Sequence, residues 1–167
     1  LPATKRDVKD APVNNFTVIV CAYTENRWND LLAAVKSLQA QTLAPFEILV
    51  VIDHNPALYE RAAREISGIR VLENEQKRGL SGARNTGIAA AKGEMIAFMD
   101  EDATAAPDWL AQLNDGFSAE NVYGVGGQIV PAWVETRPEW FPAEFEWVVG
   151  CTYKGMPTTD APIRNLI

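Results

Sequence analysis

Histidine and cysteine are scarce in this chain of 167 residues, which holds one His and two Cys. Cys21 and Cys151 are too few for a disulfide framework and match no zinc spacing. One bridge between them stays open as an alternative to the preferred reading, a reducing compartment. The lone His54 leaves a Ser-His-Asp triad without support, and the sequence has no G-x-S-x-G elbow. We read His54 as a turn residue. Positive charge is also in short supply, with Lys+Arg 15 against Asp+Glu 22 and a net charge of −7. That sign excludes a general nucleic-acid binder and docking on anionic lipid by charge alone. No run approaches ~18 apolar residues, so nothing in the sequence reads as a membrane span, and no basic-then-apolar leader follows Leu1. Glycine is missing between Ala22 and Arg27, which rules out a dinucleotide fingerprint, and a G-x-x-x-x-G-K-[ST] phosphate loop is absent.

Apolar residues make up 47% of the chain and charged residues 22%, an ordinary globular composition at the length of one domain. The ends, Leu1 and the apolar Asn165-Leu166-Ile167, are expected to belong to a longer chain. Phe16-Thr17-Val18-Ile19-Val20-Cys21-Ala22 and Glu47-Ile48-Leu49-Val50-Val51-Ile52 read as strands buried on both faces, as in a parallel sheet. Ile69-Arg70-Val71-Leu72 reads as a short third strand and Met95-Ile96-Ala97-Phe98-Met99 as a fourth. Between them, Leu31, Leu32, Val35 and Leu38 repeat at helical spacing, and a helix is predicted over 57–66, closed by Gly68. Ser81 is a predicted N-cap for a helix over 82–92 with Gly93 as its C-cap. Thr104 and Pro107 signal a further helix with Trp109, Leu110, Leu113 and Phe117 on one face. A fifth strand is predicted over 122–130, interrupted by Gly124, Gly126 and Gly127, and little is assigned after Pro131. This alternation implies an α/β sheet.

Polar residues gather after three of these strands: Tyr23-Thr24-Glu25, Asp53-His54-Asn55 and Asp100-Glu101-Asp102. With the first strand central and the second and fourth on either side, all three clusters face one crevice, where open α/β sheets bind ligands. Each cluster alone reads as turn and cap chemistry. Three on one edge read as a site. Three successive carboxylates repel one another, and a hard divalent cation, Mg²⁺ or Mn²⁺, resolves that conflict through oxygen ligands. The segment Gly79-Leu80-Ser81-Gly82-Ala83-Arg84-Asn85-Thr86-Gly87 opens a helix, and its exposed amides with Arg84 one turn in suit an anion such as a diphosphate. Simple capping, with Gly87 packed against the sheet, is the alternative.

In this order, the first two strands, Gly79 to Gly87 and the segment from Phe98 to the D-x-D pattern of Asp100-Glu101-Asp102 together resemble the family-2 glycosyltransferases. The resemblance covers about 16–130. It implies an inverting, nucleotide-sugar-dependent enzyme with a GT-A fold, an α/β sandwich around a mainly parallel sheet. By position it places Ala22, Tyr23 and Glu25 beside the nucleoside and gives Asp53 a hydrogen bond from the base. Removal of Asp53 is then expected to weaken uridine ligands and leave the ligand-free protein's melting unaltered. Gly79, Ser81, Arg84 and Glu101 fall on the nucleotide-sugar side, Asp100 contacts ribose or metal, and Asp102 binds the metal. Gly126 and Gly127 match a turn near the donor sugar. Cys21 stands where the family often has Pro, Ile52 where it often has a second acid, and His54-Asn55 where it has small turn residues. The family's catalytic base is expected after Ile167, and Glu135, Glu139, Glu144, Glu146 and Asp160 do not match it.

The expected organisation is an extension over 1–15, a nucleotide-sugar-binding core over 16–130, and the incomplete start of an acceptor-side region over 131–167. The Trp-rich stretch from Trp133 to Trp147 reads equally as acceptor-groove lining or as packing surface. The expected activity is metal-dependent transfer from a nucleotide-diphosphate sugar, UDP preferred over GDP, to a saccharide or lipid-linked acceptor. The alternative is a nucleotide-sugar-binding module without turnover. A sugar nucleotidylyltransferase would need a glycine-rich basic loop after the first strand, which is missing. The expected setting is cytoplasmic, including the cytoplasmic face of a membrane contacted through parts outside this chain.

Overall fold

In the computed structural model, residues 15–118, 122–133, 135–152 and 155–156 are described. Residues 1–14 of the expected extension, Asp160 and the terminal Asn165-Leu166-Ile167 lie outside them. The chain runs β1 (Phe16–Ala22), a 3-10 turn (Glu25–Arg27), α1 (Trp28–Gln39), β2 (Glu47–Ile52), α2 (Pro56–Glu65), β3 (Arg70–Glu73), α3 (Leu80–Ala90), β4 (Met95–Asp100) and α4 (Trp109–Gly116). A 3-10 helix over Ala143–Val149 follows. The four strands form one parallel sheet in the order β3-β2-β1-β4, with β1 central as expected.

All seven residues of β1 are buried, which explains why its sequence does not alternate. Its two sets of side chains enter two separate cores. Phe16, Val18, Val20 and Ala22 pack with α1, α2 and α4 through Leu31, Leu38, Leu58 and Leu110. Ile19 and Cys21, with Leu49 and Val51, face α3 through Ala83. The helix–sheet contact on that side is close, because a Cβ on Gly87 would lie 2.7 Å from Ile19. Buried Gln41 ties the layers together, donating to Ala106 O at 2.7 Å and accepting from the Leu110 amide at 2.9 Å.

Several expected boundaries shift for local reasons. α2 starts at Pro56 with Asn55 as its cap, the Asn55 carboxamide oxygen accepting the Leu58 N–H at 3.1 Å. The third strand lies one residue later than expected. α3 starts at Leu80 and is preceded by Gly79 at φ +124°, a conformation only glycine adopts freely, so Ser81 lies inside the first turn and is not the cap. α3 also ends earlier than expected, at Ala90 with Ala91 as C-cap, because side chains of the sheet capture the next amides. Lys92 N–H donates to Glu47 at 2.6 Å, and Gly93 N–H to Thr17 Oγ1 at 2.9 Å. β4 continues to Asp100. α4 stops at Gly116, and Phe117 follows it as the C-cap, its ring 6.4 Å from that of Phe16.

The predicted fifth strand is not formed. Residues 122–133 are irregular, and Ile129 and Val130 are exposed. Three glycines weaken any strand there, and the main chain has no ladder partner among the described residues. Among the described residues Ile129 bonds to Thr152, through its amide to Oγ1 at 2.7 Å and its carbonyl to the Thr152 N–H at 3.0 Å.

Candidate functional site

The registers bring the strand ends level. Ala22 lies opposite Ile52, and Cys21 opposite Asp100. Because β1, β2 and β4 are parallel, the chain leaves all three at one edge and delivers Tyr23, Asp53 and Asp100-Glu101-Asp102 to it. A pocket of about 270 Å³ opens there. Ala22, Tyr23, Asp53, Asp100, Glu101 and Asp102 line it, together with Cys21, Arg27, Leu80 and Ala83.

Asp53 forms a clamp beneath this edge. His54 Nδ1 lies 2.9 Å from Oδ1, Asn74 donates to the same oxygen at 2.6 Å, and the Gly79 N–H donates to Oδ2 at 2.9 Å. Asn74 is itself held by Thr86 Oγ1 at 3.0 Å and by the Gln76 amide at 2.8 Å, both donating to its Oδ1. Gly82 lets this loop close, since a Cβ there would collide with the Lys77 carbonyl oxygen. Burial pushes the Asp53 carboxyl up, but the bonds from Asn74, His54 and Gly79 outweigh it and hold the group below its ordinary value. His54 lies in a bend with a left-handed backbone at φ +51°, in keeping with its reading as a turn residue. Asp53 therefore holds the β2–α2 loop to the start of α3. These three contacts argue against the expectation that its removal leaves the ligand-free protein's melting almost unaltered.

The carboxylate triplet divides between two arginines. Asp100 pairs with Arg84 at 3.3 Å. Arg27 Nη1 reaches Glu101 Oε1 at 3.2 Å and Asp102 Oδ2 at 2.9 Å. Asp102, then Glu101, raise the Arg27 pKa above its usual value. Burial pushes the Glu101 carboxyl up, with Arg27 opposing it. Cys21, beneath the same pocket, has a thiol pushed by burial to about 11, so it stays protonated and serves as packing. For a cation, the donor chemistry fits. The Asp100 and Asp102 side chains are 64% and 48% exposed and offer only hard oxygens. Among the described residues no three acidic, His or Cys groups converge to hold an ion unaided. Two carboxylates completed by substrate phosphates are the arrangement Mg²⁺ commonly takes.

The model of the family described as "Glycosyl transferase family 2" matches residues 17–166. The chain belongs to that family. A glucosyl-dolichyl phosphate glucuronosyltransferase of Haloferax volcanii is 37% identical over 153 residues, covering 89% of this chain and 49% of that protein. The UDP-Glc:alpha-D-GlcNAc-diphosphoundecaprenol beta-1,3-glucosyltransferase of Escherichia coli is 33% identical over 92 residues, covering 54% of this chain and 36% of the other. Among solved structures, S. aureus TarS 1-349 in complex with UDP is similar at 25% identity and a TM-score of 0.49, covering 62% of this chain and 32% of that one. The chain thus spans about half the length of the Haloferax relative and less of the other two.

In this family 2 chain, six of the expected site residues line the pocket and four stand beside it. Glu25 begins the 3-10 turn and lies 4.0 Å from Arg61. Gly79 and Ser81 open α3, and Arg84 enters through Asp100. Sequence reasoning did not find Arg27, Leu80 or Ala83. For Arg27 a signal existed, since three adjacent carboxylates call for a cation and the chain can supply its own. Leu80 and Ala83 carry no polar signal and become visible only once α3 is placed.

Proposed function

We propose that this chain is the donor-binding part of an inverting glycosyltransferase that uses a UDP-sugar with Mg²⁺ or Mn²⁺. The observation that carries the reading is the pocket at the ends of β1, β2 and β4 in a family 2 chain, with Tyr23 and Asp53 on one side and Asp100 and Asp102 on the other. The nucleoside would lie against Ala22 and Tyr23, above Asp53, and the diphosphate toward the start of α3, whose first amides suit an anion. Asp102, with Asp100, would hold the cation, which when bound supplies charge stabilisation to the diphosphate leaving group. In the reaction, an acceptor hydroxyl oxygen forms a bond to the anomeric carbon as the bond to the diphosphate oxygen breaks. The hydroxyl proton passes to a general base. We assign that base to none of the pocket carboxylates, because Asp53 is committed to three hydrogen-bonding partners and the triplet pairs with arginines.

The relatives' names supply the substrate classes: UDP-glucose in one, and dolichyl phosphate and diphosphoundecaprenol linkages in the two. We therefore propose a saccharide or lipid-linked acceptor, with the reaction beside a membrane; the cytoplasmic face is the side this reading expects. Among the described residues no helix is long and apolar enough to cross one, so contact would come through other parts of the protein. Because the chain spans 49% of the Haloferax relative, donor binding without turnover is the second reading.

A thermal-shift and calorimetric panel of UDP and GDP, with Mn²⁺ or with EDTA, tests the proposal. UDP with Mn²⁺ should stabilise the protein by about 2.7 kcal/mol at 100 times its dissociation constant. Equal stabilisation in EDTA would overturn the metal assignment, and no response to either nucleotide would overturn the donor site.

A further inference from the structure

The triplet Asp100-Glu101-Asp102 is already neutralised in part from within the chain, and its two arginines do not hold it in the same way. Of the three carboxylates Arg84 pairs with Asp100 alone, at 3.3 Å. Arg27 spans two carboxylates with one nitrogen, at 3.2 Å from Glu101 and 2.9 Å from Asp102. Glu101 is the buried member, its side chain 11% exposed, whereas Asp102 is 48% exposed on the pocket side. Arg27 sits on the 3-10 turn between β1 and α1, 74 residues from Glu101 in sequence. Its guanidinium thus occupies the charge position that a divalent cation on Asp102 would need.

We propose that Arg27 is a built-in counter-cation that competes with the divalent ion for Asp102. The proposal rests on the cation reading above and goes beyond it by assigning this residue a role in setting metal affinity. In the metal-free protein Arg27 screens the triplet, keeping Glu101 and Asp102 together despite their repulsion. When the ion arrives, Arg27 gives up the exposed Asp102 and keeps the buried Glu101. The three carboxylates and two arginines sum to one negative charge, so a bare ion is only weakly attracted. Removing Arg27 leaves two, and the ion no longer has to displace a partner. A half-exposed pair of this kind is worth up to ~1 kcal/mol, so Mn²⁺ affinity should rise about five- to tenfold when it is removed, the upper end reflecting the added charge.

The test is a titration with Mn²⁺ alone, followed by calorimetry, on the wild type and Arg27→Gln. The variant should bind Mn²⁺ about five- to tenfold more tightly, and Asp102→Asn should abolish binding in both backgrounds. Unchanged or weaker Mn²⁺ affinity in Arg27→Gln, or no measurable binding, overturns the proposal. A second measurement needs no variant. The Arg27 guanidinium N–H resonance of the wild type should shift on titration with diamagnetic Mg²⁺, and an unmoved signal at saturation overturns competition as well. UDP is titrated separately in the presence of Mn²⁺. Loss of UDP binding with Mn²⁺ competition intact would sink the donor reading and leave Arg27 its role. UDP binding with no effect of Arg27→Gln on Mn²⁺ would sink only the proposal made here.

Discussion

Two regions of this chain carry apolar side chains to different ends. Between 15 and 118 most of them pack against the sheet, with Ile19, Leu38, Leu49, Leu58 and Leu110 fully buried, although Tyr23, Phe46, Leu80, Ile88, Ile96 and Phe98 stay exposed. From 122 onward no described residue is buried, although the segment includes Tyr123, Trp140, Phe145 and Trp147. Aromatic content therefore does not separate the regions; the availability of partners does. β1 is paired on both edges and covered on both faces, so every side chain it carries meets a neighbour. The later segment is anchored at few points, chiefly by Val125 against the core beside Gly116 and by Gly127 near Trp109. Every residue lining the pocket falls between Cys21 and Asp102, inside the first region. The proposed donor site thus rides on the part of the molecule whose geometry burial fixes.

The strongest way to break this comparison is to damage the sheet. Leu49 is fully buried in β2, paired between β1 and β3, and packs toward α3. Leu49→Ala should cost about 2–5 kcal/mol in urea unfolding, through lost transfer energy and the cavity left behind. The denaturant midpoint should move with little change in slope. A cost under about 1 kcal/mol would mean that the core between β2 and α3 is not close-packed around Leu49.

The next effect lies at the border between fold and site. Asp53→Asn replaces an acceptor pair with an amide that cannot accept from Asn74 and the Gly79 N–H at both oxygens. We expect a loss of about 1–3 kcal/mol at neutral pH, the cost of leaving a buried polar group unsatisfied. The sign of the pH dependence follows from the depressed Asp53 pKa. Its contribution is present above the ordinary aspartate value and is lost as pH falls through the lower folded value. The gap between wild type and variant in urea melts should therefore narrow in acid. A gap that widens in acid would remove the ionised carboxylate as the cause.

Much of this was legible in the sequence. The unbroken apolar runs of β1 and β2 mark strands buried on both faces, and polar residues after three such runs mark one sheet edge. Two things were not legible. The predicted fifth strand rested on apolar content, but a strand needs a ladder, and among the described residues Ile129 finds Thr152 and no strand. The three carboxylates signalled a cation, but that Arg27 supplies it was not readable, because its pairing with Glu101 and Asp102 depends on a turn that folds back across the sheet edge. Asp53 shows the middle case, where position was readable and duty was not. Its carboxylate faces the pocket and simultaneously holds the start of α3.

The smallest expected effect sharpens the comparison from the other side. Trp140 is 81% exposed, and its ring meets Phe141 edge-on at a centroid distance of 5.9 Å. Phe141 has a second aromatic neighbour in Trp133, at 5.6 Å, so removing Trp140 leaves it partly covered. An edge-to-face pair contributes roughly 0.5–1.5 kcal/mol when buried, but water already covers most of this indole. Trp140→Ala should therefore change unfolding free energy by no more than about 0.5 kcal/mol, the range of ordinary surface substitutions. It should also leave Mn²⁺-dependent UDP binding unchanged, because no pocket residue comes from this segment. The measurement is the same urea titration used for Leu49→Ala, run side by side so that the two regions are read on one scale. A loss near 2 kcal/mol would show that the aromatic segment is packed as a core of its own, and the contrast between the two regions would then be one of sequence position and not of burial.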